Sequence, residues 1–173
     1  APVSMRFRND GQKLYVSDAG SDTIYQYSTA ASSWTDPDLA NASYDSVSFS
    51  VAGQELYPFE LFFKPDGTKM YLAGDFGNDI NEYDLSTAWD VSSASFLQNF
   101  SVSAQETNPV GLFFKPDGTK MYVAGQSGDD VNEYTLSTAW DISSATYAQN
   151  FSVAAQEIFP SGIWFKPDGT KMY

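Results

Sequence analysis

Apolar and aromatic residues recur along this chain in short segments in which they alternate with polar residues. Examples are residues 61–63, 80–85 and 96–102, each of which contains Phe, Tyr, Val, Ile or Leu. Clusters of Gly, Pro, Asp, Asn and Ser bound these segments, as they commonly bound β-strands. No stretch has a sustained apolar period of 3.6 residues, so the pattern predicts an all-β chain without helices of consequence.

One phrase of the sequence is repeated almost unchanged at a fixed interval. Residues 61–71 recur as residues 112–122, and a third copy ends at Tyr173, so that the step is 51 residues each time. A more divergent copy spans residues 5–15. A fixed period of this length indicates a repeat architecture.

The turn residues predict how the first and second strands of each repeat are joined. Pro65 suits the second position of a type I turn and Asp66 the third, while Gly67 suits the left-handed position of the bulge that follows. The first repeat has Asn9-Asp10-Gly11 at the same place. Each repeat is therefore expected to begin with a tight β-hairpin.

Four short strands in a repeat of about 50 residues describe one blade of a β-propeller. The expected fold class is therefore all-β, a β-propeller of four-stranded antiparallel blades, with about three and a half blades in one domain of residues 1–173. Blade one is longer than the others because of an insertion near residues 35–38. The expected boundaries are 3–51 for blade one, 59–102 for blade two, 110–153 for blade three and 160–173 for a half-blade.

Two phrases resemble known propeller repeats. Residues 63–71 resemble the turn between the inner strands of bacterial propellers of the YVTN and lactonase-like kind, and more loosely of WD40 blades. The later phrase, residues 85–90, resembles a linker of bacterial secreted or surface propeller repeats. Tyr83-Asp84 stands where WD40 proteins have a Trp-Asp dipeptide. The resemblance implies a propeller fold and an extracellular or cell-surface location.

The composition excludes several classes of function. The chain has 22 acidic residues against 9 basic ones, a net charge of −13, which argues against nucleic acid and anionic membranes as partners. Because it contains neither His nor Cys, it offers no His-dependent triad, thiol nucleophile or disulfide. No apolar run approaches the roughly 18 residues of a membrane helix.

The charges are distributed unevenly along each repeat. All nine Lys and Arg residues belong to the hairpins of the first two strands, whereas acidic residues occupy the loops expected at the opposite end of the blade. Such a distribution predicts an acidic face that binds a cation or a cationic ligand. Alternatively, Lys64 and Lys69 simply brace Asp66. The candidate ligand-binding residues are Glu55, Glu106, Glu157, Asp22, Asp79 and Asp130.

Two further groups of residues allow more than one interpretation. Asp18-x-Gly20-x-Asp22 and Asp75-x-Gly77-x-Asp79 fit tight turns, but their oxygens also make Ca²⁺ a candidate; no other cofactor is expected. Trp34, Trp89 and Trp140 lie in connections between strands. They either cap the edge of a blade or provide a platform for a carbohydrate.

Two hypotheses for the function follow. The first is a non-catalytic recognition or scaffold module, because blades two and three agree at most aligned positions and repetition suits structural or multivalent use. The alternative is a metal-dependent, lactonase-like hydrolase, with oxygens from Glu106, Asn108 and Asp79. Because three and a half blades cannot close a ring, self-association, most simply as a homodimer, is also expected.

Overall fold

In a computed structural model, which describes residues 1–30 and 39–173, the chain forms three four-stranded antiparallel sheets. Each sheet takes four consecutive strands in chain order, so each repeat folds as one blade. One-turn 3₁₀ helices, Val91–Ser93 and Ile142–Ser144, precede the outermost strands of blades two and three. The strands are β1 (Pro2–Phe7), β2 (Lys13–Asp18), β3 (Thr23–Ser28) and β4 (Ser43–Ser50) in blade one; β5 (Pro58–Phe63), β6 (Lys69–Gly74), β7 (Asp79–Leu85) and β8 (Ala94–Ser101) in blade two; and β9 (Pro109–Phe114), β10 (Lys120–Gly125), β11 (Asp130–Leu136) and β12 (Ala145–Ser152) in blade three.

The expected all-β propeller fold is confirmed. Strands β1, β5 and β9 are the inner strands, which contact one another from blade to blade, and the sheets do not close into a ring. Residues 160–173 include a further hairpin, in which Trp164 and Tyr173 exchange backbone hydrogen bonds of 3.0 and 2.8 Å; that it forms a half-blade stays a prediction. Self-association that would complete a ring stays a prediction.

The hairpin turns have the expected geometry. The Gly67 N–H donates to the carbonyl of Lys64 at 2.8 Å, and Gly67 has a φ of 75°. A left-handed backbone of this kind favours glycine, since a β-carbon would crowd the backbone. Gly11, Gly118 and Gly169 adopt the same conformation, with φ values of 76°, 74° and 72°.

The hydrophobic core lies between the blades. One cluster joins the facing sides of blades one and two, and a second joins blades two and three. Each cluster brings together three aromatic rings of equivalent position. These are Tyr15, Phe63 and Trp89 at the first junction, and Tyr71, Phe114 and Trp140 at the second.

Hydrogen bonds repeat at the two junctions as well. The Tyr15 hydroxyl donates to the carbonyl of Trp89 at 2.7 Å, and Tyr71 donates to that of Trp140 at 2.6 Å. Each tryptophan has a positive φ, 67° for Trp89 and 65° for Trp140, so its indole lies over the hairpin glycine of its own blade. The junction therefore fixes both the side chain and the backbone of the tryptophan.

The two ends of each blade differ in charge, as expected. We call the end with the β1–β2, β5–β6 and β9–β10 turns the hairpin end, and the opposite end the loop end. The basic residues of the hairpin end are paired locally: Lys64 bonds Asp66 at 2.8 Å. Lys69 does not brace Asp66 but pairs with Glu82 at 2.5 Å and Asp84 at 2.7 Å. Most of the positive charge at the hairpin end is therefore neutralised within the blade.

Replacing Gly118 by Ala should destabilise the protein. A β-carbon there would lie 2.4 Å from the indole of Trp140 and would also have to accept a φ of 74°. We expect the free energy of unfolding to fall by about 2 kcal/mol or more in urea titrations. Gly53→Ala is the matched control, because a β-carbon at Gly53 meets nothing within 4 Å and should change stability by less than about 1 kcal/mol. Equal urea midpoints for the two variants would contradict this account.

Candidate functional site

Two of the predicted ligand-binding residues hold neighbouring segments of the loop end together. The buried carboxylate of Glu106 accepts backbone N–H groups from Asn108 at 2.6 Å, Ser127 at 3.1 Å and Gly128 at 3.0 Å. Glu55 does the same one blade earlier, with N–H groups of Tyr57 and Phe76. Each glutamate thus ties the loop that enters a blade to the turn between the second and third strands of that blade.

Space for these carboxylates comes from a glycine at the end of the second strand. A β-carbon at Gly125 would lie 2.0 Å from Glu106, and one at Gly74 would lie 2.1 Å from Glu55. Blade one has Asp18 at this place in the repeat. Asp18 itself accepts the N–H of Gly20 at 2.6 Å.

The predicted aspartates have different surroundings. The buried Asp79 accepts amide N–H groups from Asn81 at 2.7 Å and Asn99 at 2.5 Å. Asp130 is bound in the same way by Asn132 and Asn150, both at 2.6 Å. Burial raises the pKa of the Asp79 carboxyl, which the two amide hydrogen bonds partly offset.

Asp22 and Glu157 do not belong to these clusters. Asp22 is a left-handed turn residue, with a φ of 50°, and is equivalent to Asn78 rather than to Asp79. Glu157 is exposed and accepts the N–H of Phe159 at 2.8 Å. Turn formation therefore accounts for the Asp-Gly pattern of residues 18–22.

The structure brings some of the predicted acids together, but not as a metal centre. Burial raises the pKa of Glu55, and the nearby charge of Asp79 adds to that rise. Within residues 1–30 and 39–173, no three acidic side chains are grouped so that they could hold a metal ion. Each carboxylate oxygen of Glu106 and Asp79 already accepts an N–H donor, whereas the buried Oδ1 of Asn108 has no hydrogen-bond partner among the described residues. Cation binding at the loop end stays a prediction, which calorimetric titration with Ca²⁺ would test.

The tryptophans of the strand connections are part of the inter-blade core. Trp140 is 9% exposed, and its ring centroid lies 5.5 Å from that of Phe114. Trp89 lies 5.4 Å from Phe63 and beneath the guanidinium of Arg8 at 5.8 Å. Both tryptophans therefore seal a junction between blades, as the capping interpretation expected. Trp34 and the insertion near residues 35–38 lie outside the described residues.

A different pair of charges lies on the inner strands. Arg6 of β1 donates to the Glu60 carboxylate of β5 at 2.6 Å and to the carbonyl of Leu61 at 2.9 Å. The guanidinium also lies 5.1 Å from the ring centroid of Phe62. Both charged side chains are mostly buried, with 23% of Arg6 and 16% of Glu60 exposed.

The electrostatic setting of Glu60 is that of a candidate acid or base. Burial raises the pKa of its carboxyl, while the charge of Arg6 and hydrogen bonds from Ser4 and Arg6 act in the opposite direction. A buried carboxylate with a raised pKa that contacts a guanidinium is a candidate acid or base.

Both members of the pair depart from the repeat. Gly111 and Gly162 occupy the place of Glu60 in the later blades, and Phe62, Phe113 and Trp164 occupy the place of Arg6. The charged residues are thus an addition to the scaffold rather than part of its repeated packing. Comparing the copies for exceptions, rather than for agreement, would have identified both residues from the sequence.

A cavity of about 330 Å³ lies beside Arg6. It is lined by Arg6, Phe7 and Asn9 from blade one and by Trp164 from the terminal hairpin. Trp164 is 45% exposed, and the Asn9 amide donates to the carbonyl of Pro65 at 3.3 Å. The cavity therefore offers a cation, an amide and an aromatic face to one small ligand.

Solved structures of similar shape are larger β-propellers. A protein of Bacteroides uniformis, provisionally described as a 6-phosphogluconolactonase, matches 99% of this chain with 14% identity and a TM-score of 0.69, and the match covers 46% of that chain. A similarly described protein of Bacteroides fragilis has 18% identity and a TM-score of 0.68, with the same coverage of both chains. The periplasmic gluconolactonase of Pseudomonas aeruginosa matches 88% of this chain and 39% of its own, with 18% identity and a TM-score of 0.57.

These comparisons establish the propeller fold and correct the leading functional hypothesis. The chain spans less than half the length of these structures, and no family model and no curated protein matches its sequence. The expectation of a non-catalytic recognition or scaffold module is wrong: the lactonase names among the similar structures favour the lactonase-like alternative.

Replacing Glu106 by Gln should weaken the attachment of the loop that enters blade three to the β10–β11 turn of that blade. The amide group of Gln would turn a donor toward backbone N–H groups that now reach a carboxylate. We expect the free energy of unfolding in urea to fall by about 1–3 kcal/mol. Glu157→Gln is the control, since the exposed Glu157 should tolerate the change within about 0.5 kcal/mol. A Glu106→Gln protein as stable as that control would refute a structural role for Glu106.

Proposed function

We propose that this chain forms part of a β-propeller hydrolase that opens sugar lactones, with Glu60 and Arg6 as its reacting pair. The observation that carries the proposal is their 2.6 Å contact on the inner strands, where the repeats after blade two have glycine in place of Glu60 and the repeats after blade one have an aromatic residue in place of Arg6. The names of the similar propellers support lactone hydrolysis as the reaction class. The proposal concerns the chemistry of this pair and requires no metal.

The chemistry suits the two side chains. The Glu60 carboxylate takes a proton from a water molecule, whose oxygen attacks the lactone carbonyl. The Arg6 guanidinium donates to the oxyanion that forms at that carbonyl. When the ring C–O bond breaks, the proton passes from Glu60 to the leaving oxygen, so that the product is a hydroxy acid and the carboxylate is regenerated.

The neighbouring cavity supplies a place for the substrate. A volume of about 330 Å³ is within the range of small-molecule sites. The indole of Trp164 offers an apolar face to the carbon side of a sugar ring, and Asn9 offers polar atoms to its hydroxyl groups. Arg6 belongs both to this cavity and to the charged pair, so a ligand in the cavity touches the reacting group.

An extracellular or periplasmic location is part of this proposal. It is supported by the similarity to a periplasmic gluconolactonase of Pseudomonas aeruginosa. In the part of the chain that the structure describes, no helix is long and apolar enough to cross a membrane.

The substitution Glu60→Gln should remove most of the activity. With gluconolactone or 6-phosphogluconolactone as substrate, we expect kcat to fall by about 10²- to 10⁴-fold, because Gln cannot accept the proton of the attacking water. Hydrolysis is measured as acid release, after subtraction of the spontaneous rate in buffer.

Asp84→Asn serves as the matched control for this substitution. Asp84 is also a carboxylate bonded to a basic side chain, Lys69, but it is half exposed and lies on the third strand of its blade. Its replacement should leave kcat unchanged. The hypothesis fails if the wild-type chain does not exceed the buffer rate, or if the two variants lose activity equally.

The pH dependence should report the pKa of Glu60. Because the base must be ionised, kcat/KM should rise with pH. The midpoint of the rise should lie above the usual glutamate pKa, because burial raises the pKa of Glu60. Arg6 lowers that pKa, so Arg6→Gln should move the midpoint to still higher pH as well as reduce the rate. A midpoint that stays fixed in Arg6→Gln would show that another group titrates.

A further inference from the structure

A buried serine hydroxyl lies between the inner strands of blades one and two, close to Arg6 and Glu60. Ser17, on β2, is fully buried. Its side-chain oxygen accepts the backbone N–H of Ser4 at 3.1 Å, and its hydroxyl donates to the backbone carbonyl of Phe59 at 3.3 Å. Ser4 belongs to β1 and Phe59 to β5, so this one hydroxyl joins the backbones of two blades.

The packing of the repeat does not require this hydroxyl. Ala73 and Ala124 occupy the place of Ser17 in blades two and three, and both are buried as well. The scaffold therefore accepts a methyl group at this position, whereas a buried hydroxyl is unfavourable unless it is hydrogen-bonded. Ser17 is thus a further departure from the repeat at the junction that contains Arg6 and Glu60.

Both hydrogen bonds of Ser17 fall at irregular points of the strands. The register of β1 against β2 shifts between Pro2 and Ser4, and that of β5 against β6 shifts between Pro58 and Glu60. A β-bulge of this kind interrupts the regular ladder and changes the direction of the side chains beside it, which is why bulges are frequent next to active sites. Ser17 therefore holds the two backbone segments from which Ser4 and Glu60 project.

The hydrogen bond to Phe59 acts on Glu60 through a single peptide unit. The Phe59 carbonyl and the Glu60 N–H belong to the same planar group, so a bond that holds this carbonyl also restrains the backbone at Glu60. On the other side of Glu60, Arg6 donates to the carbonyl of Leu61 at 2.9 Å. Blade one therefore holds the backbone of β5 both before and after Glu60.

We propose that Ser17 is a positioning residue for Arg6 and Glu60, a role that rests on the proposed function. Its hydroxyl fixes β1 against β5, so that the guanidinium of Arg6 and the carboxylate of Glu60 meet in one geometry. Ser17 acts through these two strands and is not among the residues that line the cavity beside Arg6. Positioning of this kind raises the rate because small displacements of a reacting group are costly.

The pKa of Glu60 gives a readout of this role that needs no substrate. Burial raises this pKa, whereas the charge of Arg6 and hydrogen bonds from Ser4 and Arg6 lower it. Among the described residues, Arg6 is the charged group that acts on Glu60. Because Ser17 holds the strand that carries Ser4 and Arg6, its loss should weaken both hydrogen bonds and raise the pKa of Glu60 further.

Replacing Ser17 by Ala tests this role, and the variant should fold because Ala is the residue at this place in the other two blades. The pKa of Glu60 is followed in the full chain by the carboxyl-carbon NMR signal of isotope-labelled glutamate, which Glu60→Gln assigns by removing that signal. We expect Ser17→Ala to raise the titration midpoint by about 0.5 pH unit or more. Ser48→Ala, at an exposed position of β4, is the matched control and should leave the midpoint unchanged.

Lactone hydrolysis gives the second readout. Ser17→Ala should lower kcat by about 10-fold and leave KM within about 2-fold, because the substrate cavity keeps its lining residues. The midpoint of kcat/KM against pH should move to higher pH together with the NMR midpoint. Ser48→Ala should have the kinetics of the wild type.

The two readouts separate the role of Ser17 from the function on which it rests. If the wild-type chain does not exceed the buffer rate but Ser17→Ala raises the pKa of Glu60, the proposed hydrolysis is wrong and Ser17 still positions Glu60. If Glu60→Gln removes the activity while folded Ser17→Ala keeps the wild-type kcat and pKa, the hydrolysis stands and the role of Ser17 is wrong. Lower stability of Ser17→Ala in urea without a change in either readout would assign Ser17 to packing alone and would likewise overturn the proposal.

Discussion

Packing of a tryptophan over the left-handed glycine of its own hairpin is the interaction on which this structure depends. The indole of Trp140 fills the space that a β-carbon on Gly118 would occupy, and the Trp140 carbonyl receives the hydroxyl of Tyr71 from the previous blade. One contact therefore fixes the hairpin turn, the connection to the outermost strand and the position of the neighbouring blade. Since an isolated four-stranded sheet has two faces to cover, this repeated junction is what makes the blades stable.

Many of the acidic residues have a structural role, because their carboxylates accept hydrogen bonds within the fold. Glu55 and Glu106 tie loops to turns by accepting backbone N–H groups, and Asp79 is bound by two asparagines. Lysines at the hairpin end are paired with carboxylates of the same blade. Many of the charges therefore satisfy one another or the backbone, which leaves the contact between Arg6 and Glu60 as a charged pair that joins two blades on the inner strands.

In a repeat protein, residues that recur in every copy serve the packing of the repeats, whereas residues found in one copy alone are additions to that packing. A β-carbon added to Gly111 would lie 3.0 Å from the backbone of Gly162, so the inner strands approach each other closely there. Glu60 introduces a carboxylate at the equivalent place, and Arg6 introduces its partner on the adjacent strand. Such a substitution is unfavourable unless the two charges meet, because a lone buried charge is poorly solvated.

Local features of the sequence are enough to specify the period, the blade and the turn. Pro65-Asp66-Gly67 specifies a hairpin through local backbone preferences, and the alternating aromatic segments specify strands, because both depend on neighbours in the chain. Which acidic side chains accept hydrogen bonds, and which charged side chains pair, depends on how the blades pack. Asp22 and Asp79 look alike in sequence, yet one is a turn residue and the other a buried acceptor. Arg6 and Glu60 are 54 residues apart, and only the packing of β1 against β5 places them in contact, since burial and Coulombic interactions depend on distance in space and not on distance along the chain.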